Sequence, residues 1–315
     1  MVCGAAESNH FTWQFGYRYP SNVSNAWTFL STWTFEPVLG VGLLTAAGAY
    51  LYVVLRVNKK TPLKRWPWYY SLFFYSGLAA IVLVTFGPIG AYDDELFWAH
   101  MTQHIIFMMV AAPLLLLGQP VLLLLRASSR EFRGKVALPV LRSRVVRYLT
   151  NPFVTWILFA AVLVGAHFTG FYEYALDHAW VHNYIEHTMY LGVALLYFYP
   201  LLGIGPGASA MKPFAKVVSL FLMMLPEAMV GFAIYMAKDV LYPHYSTVTD
   251  RILGPGTALS DQRLGGAFMW SSAMIFNAIW ISYAAWQWIK SEELKSRRVD
   301  REIAAEIAAE AQSGS

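Results

Sequence analysis

Seven long apolar stretches dominate this chain of 315 residues and restrict its possible folds more than any other feature. Each stretch can cross about 30 Å of hydrocarbon as an α-helix, which satisfies its backbone hydrogen bonds within one segment. The chain is 57% hydrophobic and only 13% charged, which is typical of a membrane protein. We therefore predict an all-α, polytopic membrane protein with seven transmembrane helices. The predicted spans are Pro37–Leu55, Pro67–Gly87, Leu96–Gly118, Pro152–Phe168, Ala179–Leu202, Pro213–Ala237 and Leu264–Ile289.

Basic residues are concentrated in alternate loops. Most of the 23 lysines and arginines follow the first, third, fifth or seventh stretch. By the positive-inside rule, these loops face the cytoplasm, so the N-terminus lies outside the cell membrane and the C-terminus inside. We therefore expect an extracytoplasmic N-terminal segment (1–35), a seven-helix transmembrane domain (36–290) and a charged cytoplasmic tail (291–315).

Two cytoplasmic segments carry further expectations. Residues 136–149 form a basic, amphipathic stretch that is expected to lie on the inner membrane surface. The tail after Lys290 is expected to be a frayed helix followed by disorder. The net charge of +4 is explained by this topology, so we expect the lipid bilayer as a partner and no nucleic acid.

Several function classes lack support in the sequence. The first thirty residues show no secretory signal peptide, and the first apolar run begins near Glu36. The single cysteine, Cys3, excludes an internal disulfide and a paired-cysteine metal motif. There is no phosphate-binding glycine loop, no G-x-S-x-G and no H-E-x-x-H motif. We therefore do not expect an enzyme.

Five histidines fall at one depth, near the outer ends of three predicted helices. They are His100, His104, His167, His182 and His187. An ionisable side chain inside a bilayer is costly and indicates function, and several imidazoles together indicate a transition metal or a haem. His100 and His104 share a helix face, as do His182 and Glu186, whereas five residues of ordinary helix would offset His187 from His182 by about 140°. His178 and His244 are expected only at the rim.

Other side chains are candidates to support such a site. Glu186 is interpreted mainly as a group that orients an imidazole, with metal ligation or proton transfer as alternatives. Glu227, beside Pro226, is expected near mid-membrane as a relay for protons or cations, or as a clamp on a kink.

Residues before the seventh helix and two methionines complete the set of candidates. Asp261 and Gln262 lie close in depth to the histidines. Met101 and Met236 are the methionines whose predicted depth matches the histidines, and thioether with imidazole suits Cu(I). Ordinary core packing is the alternative for these methionines.

Four motifs resemble those of the caa(3)-type cytochrome c oxidase assembly factor family, CtaG. They are Phe97–His104 with Ala112–Pro120, Asn151-Pro152 with His167, Val181–His187, and Ala258–Trp270. The resemblance covers about residues 35–290 and implies seven transmembrane helices and a role in maturing haem-copper oxidases. The residues that it implies are His100, His104, His167, His182, Glu186, His187, Asp261 and Gln262.

These observations favour a plasma-membrane assembly factor that binds copper, preferably Cu(I), on the extracytoplasmic side. Through the resemblance, the expected recipient is the Cu(B) site, and the expected partners are oxidase subunit I or other assembly factors. One alternative is a membrane haem b protein with histidine axial ligands, which would act in electron transfer or as a quinol oxidoreductase. Another is a copper or proton transporter, which would need ligands through the inner leaflet.

Overall fold

The computed structural model describes residues 26–203, 211–248 and 256–313, and this part of the chain is entirely helical. Seven principal helices follow the seven apolar stretches. They are α1 (Pro37–Lys60), α2 (Trp68–Thr85), α3 (residues 97–117), α4 (Pro152–Phe168), α5 (residues 181–202), α6 (Pro213–Met236) and α7 (Ala258–Ser313). Two of them change winding along their length. Helix α3 consists of Phe97–Ile106, a π-helical segment Phe107–Ala111 and Ala112–Leu117, and α5 consists of a π-helical segment Val181–Glu186 followed by His187–Leu202.

Shorter helices connect these elements. They are Ala26–Ser31, Pro62–Lys64, Pro88–Ala91, Pro120–Ala127, Arg130–Phe132, Arg133–Ala137, Leu138–Leu141, Arg144–Leu149, Phe171–Asp177 and Pro243–Thr247. The stretch 136–149, predicted as one amphipathic piece, is thus divided among several short helices. Val140 and Tyr148 within it are exposed.

Five helical segments are long and apolar enough to cross a membrane, and a bent pair of helices would make a sixth. The bent pair joins Pro152–Phe168 to Phe171–Asp177 at 67°. The predicted span Ala179–Leu202 is helical throughout but is not among these candidates. The chain is therefore an all-helical, multi-pass membrane protein with five or six candidate spans in its described part.

Local sequence explains where the helices begin. Pro37 opens α1, and the Glu36 carboxylate accepts a hydrogen bond from the Val38 amide at 3.1 Å. At the start of α4, the Asn151 side chain accepts from the Phe153 amide at 2.9 Å, and Pro152 occupies the first helical position. Both arrangements satisfy backbone donors that a helix start leaves free.

Helices α6 and α7 contact each other backbone to backbone through two glycines. A Cβ atom on Gly231 of α6 would lie 2.6 Å from the Trp270 amide nitrogen. A Cβ atom on Gly266 of α7 would lie 2.7 Å from the Tyr235 amide nitrogen. Small residues are required where transmembrane helices approach this closely. The contact holds α7 against the bundle that contains the histidines.

The tail forms an ordered helix in the described residues, which differs from the expected fraying. Helix α7 continues to Ser313. Ion pairs of helical spacing line its exposed surface, such as Arg297 with Glu293 at 2.6 Å and Arg298 with Glu302 at 2.8 Å. Such pairs, together with the alanine- and glutamate-rich sequence, favour continued helix. At the other end of the chain, Cys3 and most of segment 1–35 lie outside the described residues.

Candidate metal centre

The Glu186 carboxylate lies at the centre of the histidines. Its Oε1 is 3.5 Å from Nε2 of His100 and 3.5 Å from Nε2 of His104. Its Oε2 is 3.0 Å from Nδ1 of His182. All four side chains are almost completely buried. Helices α3 and α5, distant in sequence, therefore meet at one carboxylate.

The sequence analysis missed Asp93, which completes this arrangement. Its Oδ2 lies 3.2 Å from Nε2 of His182, so the two ring nitrogens of that imidazole face two carboxylates. The Tyr245 hydroxyl donates to the Asp93 carbonyl at 3.0 Å and pairs with the Tyr172 hydroxyl at 2.8 Å. The signal in the sequence is the acidic run Asp93–Glu95 immediately before α3.

The π-helical start of α5 explains why His187 also faces inward. The rings of His182 and His187 lie 4.8 Å apart, in contrast to the offset expected for an ordinary helix. A π-helix places hydrogen-bonded residues five apart, so a residue and its fifth successor come close to the same side. One widened turn therefore presents His182, Glu186 and His187 together.

Gln103 sets the orientation of His187. The Gln103 amide nitrogen donates to the Val84 carbonyl at 2.9 Å, which leaves its oxygen as acceptor for Nε2–H of His187 at 2.8 Å. The lone pair of His187 is then on Nδ1, which is buried without a hydrogen-bond partner among the described residues. Outer hydrogen bonds of this kind fix the tautomer of metal-binding histidines.

His167 is oriented in the same way by the backbone of α4. Its Nδ1 donates to the Leu163 carbonyl at 2.7 Å. The lone pair is then on Nε2, which is also buried without a partner in the described structure. Its ring lies 6.3 Å from that of His104. The structure thus brings all five predicted histidines together, and we call them, with Asp93 and Glu186, the histidine cluster.

Two groups within the histidine cluster have the geometry to hold a metal ion. In each, one potential ligand atom per residue lies within 4.8 Å of the others, and the groups are Asp93 with His182 and His187, and His100 with His182 and Glu186. Imidazole with carboxylate suits copper, zinc, iron or nickel. Among the described residues, both ring nitrogens of His100 and of His104 lack hydrogen-bond partners, although each Nε2 lies 3.5 Å from Glu186. Buried polar atoms without partners are costly. A bound cation would supply the missing interaction.

Asp261 and Gln262 support the cluster through the backbone. The Asp261 carboxylate accepts hydrogen bonds from the amides of Phe97 at 2.9 Å and Trp98 at 3.3 Å, which caps the start of α3. The Gln262 side chain accepts from the Leu241 amide at 2.6 Å and donates to the Asp239 carbonyl at 3.3 Å. The Asp261 contacts position the helix that carries His100 and His104, whereas the Gln262 contacts hold the segment that follows α6.

The remaining candidates separate into interior and peripheral residues. Glu227 is buried and accepts a hydrogen bond from Asn277. Met101 is fully buried, but Met236 is 58% exposed, so its assignment beside the histidines was wrong. Met236 ends α6, and the period of that helix turns its side chain outward. Depth along a helix does not determine which way a side chain faces.

The rim histidines and neighbouring acids lie outside the spans. His244 is 3.9 Å from the Asp94 carboxylate and 3.6 Å from that of Asp177, whereas His178 Nδ1 bonds the Tyr174 carbonyl at 2.9 Å. Burial and the adjacent Asp93 carboxylate raise the pKa of Asp94. These acids give the approach to Asp93 a surplus of carboxylates, which favours cations.

Comparison with known proteins identifies one family. The model of the cytochrome c oxidase caa3 assembly factor family matches residues 48–291. Uncharacterised proteins of Mycobacterium leprae, Mycobacterium bovis and Mycobacterium tuberculosis are 27%, 28% and 28% identical to the chain. These alignments cover 91% of the chain but only 44%, 43% and 43% of the relatives, so the chain spans less than half of their length. No solved structure matches.

Proposed function

Because the chain belongs to the cytochrome c oxidase caa3 assembly factor family, we propose that it is a copper-binding assembly factor of a haem-copper oxidase. It binds copper in the histidine cluster and delivers it to the Cu(B) site of oxidase subunit I. The family match supports the role in oxidase assembly. The observation that carries the copper proposal is the convergence of four buried imidazoles on two carboxylates, with the fifth imidazole, of His167, beside that of His104.

The chemistry of the cluster fits a metal that is held and then released. Nδ1 of His187 and Nε2 of His167 carry lone pairs without partners in the described part of the chain, while the other nitrogen of each ring is anchored by a hydrogen bond. Asp93 and Glu186 offset the positive charge of the ion in a medium where an uncompensated charge is expensive. The cluster has more potential ligands than one copper ion requires. Its ligands can therefore be replaced one at a time by those of an acceptor, so that the ion is never without ligands inside the membrane.

The proposed topology places this site near the outer surface of the plasma membrane. The loops that follow α1, α3 and α5, and the end of α7, carry most of the basic residues and face the cytoplasm. In this topology, the chain crosses the membrane seven times, and α4 and α5 each cross once. Because the C-terminus is cytoplasmic and the number of crossings is odd, the N-terminus lies outside. The histidine cluster then lies at the extracytoplasmic end of α3 and α5.

Metal analysis of the full chain, purified in mild detergent after copper or haem supplementation, tests the proposal. We expect at least one copper per chain and no Soret band. Exchange of both His100 and His104 for alanine lowers the copper content while the protein stays monodisperse. The matched control is His178→Ala, which removes a partly exposed histidine outside the cluster.

Other results would overturn the proposal in identifiable ways. A Soret band with little copper would indicate a membrane cytochrome. Copper content unchanged in the double variant would place the metal elsewhere. A third outcome is that the wild type binds copper and the double variant does not, yet membranes with the double variant contain fully active oxidase. Copper binding by the cluster would then be correct, and the proposed delivery to Cu(B) would be wrong.

A further inference from the structure

A small cavity adjoins the histidine cluster at His104 and His167. Asp93, His182, Glu186 and His187 do not line it. It has a volume of about 40 Å³ and lies between α3, α4, α5, α6 and α7. A volume of this size accommodates roughly three water molecules or one coordinated ion. Two histidines and four methionines are prominent in its wall. They are His104, His167, Met101, Met108, Met109 and Met269.

The polar atoms around this cavity have unmet hydrogen-bonding capacity. Nε2 of His167, both ring nitrogens of His104 and the Tyr190 hydroxyl are buried without partners in the described structure. Glu227 also lines the cavity, and its Oε1 is buried and unpaired as well. Such atoms are rarely left unsatisfied in an apolar interior, so the grouping of the residues that carry them around one space points to an occupant. The wall of the cavity itself is almost entirely apolar.

His167 is held as a metal ligand would be held. Its Nδ1–H is fixed by the Leu163 carbonyl at 2.7 Å, which leaves the lone pair on Nε2. Neither of the two carboxylate-containing groups described above includes His167. A histidine that is oriented for ligation therefore belongs to the cavity and not to the carboxylate side.

The ligand atoms differ in kind between the two sides of the cluster. The side with Asp93 and Glu186 offers carboxylate oxygen and imidazole nitrogen. The cavity is lined by four methionines and two histidines, and among the described residues the Glu227 carboxylate is the one carboxylate in its wall. Soft thioethers select Cu(I), whereas carboxylates favour harder ions.

We propose that this cavity is a second copper site, selective for Cu(I), in which His104 and His167 act with the methionine sulfurs. The inference rests on the proposed copper function and divides the histidine cluster into an oxygen-rich site and a sulfur-rich site. His104 adjoins both, since its Nε2 is 3.5 Å from Glu186 and its ring lines the cavity. It therefore links the two sites as a shared ligand.

Anaerobic titration with Cu(I) against a chromophoric chelator, combined with X-ray absorption at the copper edge, tests this site in the full chain. In the wild type we expect Cu(I) with sulfur in its coordination shell. The test variant replaces Met101, Met108, Met109 and Met269 with leucine, a swap of similar volume that cores tolerate. It should lose the sulfur signal and bind Cu(I) at least about 10-fold more weakly, the lower range for a disturbed metal shell.

The matched control replaces Met229 and Met274, which are 69% and 49% exposed, with leucine. This control should bind Cu(I) as the wild type does. The four-methionine variant should also keep its affinity for Cu(II), because the oxygen-rich site is unchanged. Retained Cu(II) binding shows that the variant is folded.

The outcomes separate this inference from the proposed function. If the wild type binds Cu(I) through nitrogen and oxygen only, the sulfur-rich site is overturned and the assembly-factor proposal remains. This result does not depend on any variant. Wild-type Cu(I) affinity in the four-methionine variant also overturns it and makes the methionines packing residues. Sulfur-bound Cu(I) without any Cu(II) binding supports the cavity and removes the oxygen-rich site. Absence of copper in both states overturns both proposals.

Discussion

Two buried polar networks in this protein satisfy their hydrogen bonds very differently. In the tyrosine network between α1 and α2, the Tyr50 hydroxyl donates to the Gly118 carbonyl at 2.8 Å and accepts from the Trp66 indole at 3.1 Å. Tyr50 also stacks on Phe74 with ring centroids 4.0 Å apart. In the histidine cluster, by contrast, both ring nitrogens of His100 are without hydrogen-bond partners among the residues that the structure describes.

The difference in hydrogen bonding indicates that the tyrosine network is structural and that the histidine cluster is a binding site. A satisfied network such as that of Tyr50 and Trp66 stabilises the packing of helices and has nothing left to bind. The histidine cluster keeps buried ligand atoms free, which lowers stability unless an ion or a partner fills the site. The two networks should therefore respond in opposite ways to the loss of a polar group.

The largest effect is expected from Asp93→Asn. This change removes the negative charge beside His182 and weakens a candidate ligand, so copper affinity should fall about 100-fold, or ~2.8 kcal/mol. Equilibrium dialysis with Cu(II) measures it, and Asp239→Asn, at an exposed acid, is the control. Equal affinity in Asp93→Asn and wild type would remove Asp93 from the site.

Tyr50→Phe should affect stability and leave copper binding unchanged. The substitution leaves the buried Trp66 indole and the Gly118 carbonyl without their partner, which costs about 1–3 kcal/mol. Thermal unfolding in detergent measures the loss, with copper content determined on the same sample. A clear drop in copper content would show that the two networks are coupled and would break the comparison.

His100→Leu should do the reverse in metal-free protein. His100 has no hydrogen-bond partner among the described residues, although its Nε2 lies 3.5 Å from the buried Glu186 carboxylate. Because only this long contact is lost, the free energy of unfolding should change by less than about 1 kcal/mol. The variant should nevertheless bind less copper than the wild type. Destabilisation by more than about 2 kcal/mol without copper would instead show that His100 is structural.

Deletion of residues 302–315 should have the smallest effect. The described side chains before this segment are exposed, and the pair between Arg298 and Glu302, with both residues exposed, contributes less than about 1 kcal/mol. Oxidase activity in membranes of cells that produce the truncated chain should equal that of the full chain. Reduced activity would identify the tail as a contact for a partner.

The helices and most of the site could be predicted because their signals are local. Apolar length located the first six helices to within about five residues at each end, whereas the seventh begins six residues before its predicted start and continues to Ser313. Depth along predicted helices placed His100 and His182 in one layer, and the structure brings them together with ring centroids 5.0 Å apart. Met236 shows the limit of the same argument, because depth does not specify the direction of a side chain.

Other parts of the site depend on contacts between distant segments and on the winding of single helical turns, which the sequence of one segment does not reveal. Asp93 lies 89 positions before His182, and only the packing of two loops and helices makes them neighbours. His187 faces the cluster because the start of α5 winds as a π-helix. Asp261 matched the family motif, but its role in capping α3 became apparent only from its contacts with two backbone amides.

By itself, the sequence determined that the chain is helical and has several segments apolar enough to span a membrane, and it predicted one depth for five histidines, since hydrophobicity and helical rise act along a single segment. Tertiary structure alone decided which ligand atoms face one another, which remain unpaired and where the methionines enclose a cavity. These properties arise from contacts between distant segments and from the winding of individual turns, and both are settled only when the helices pack.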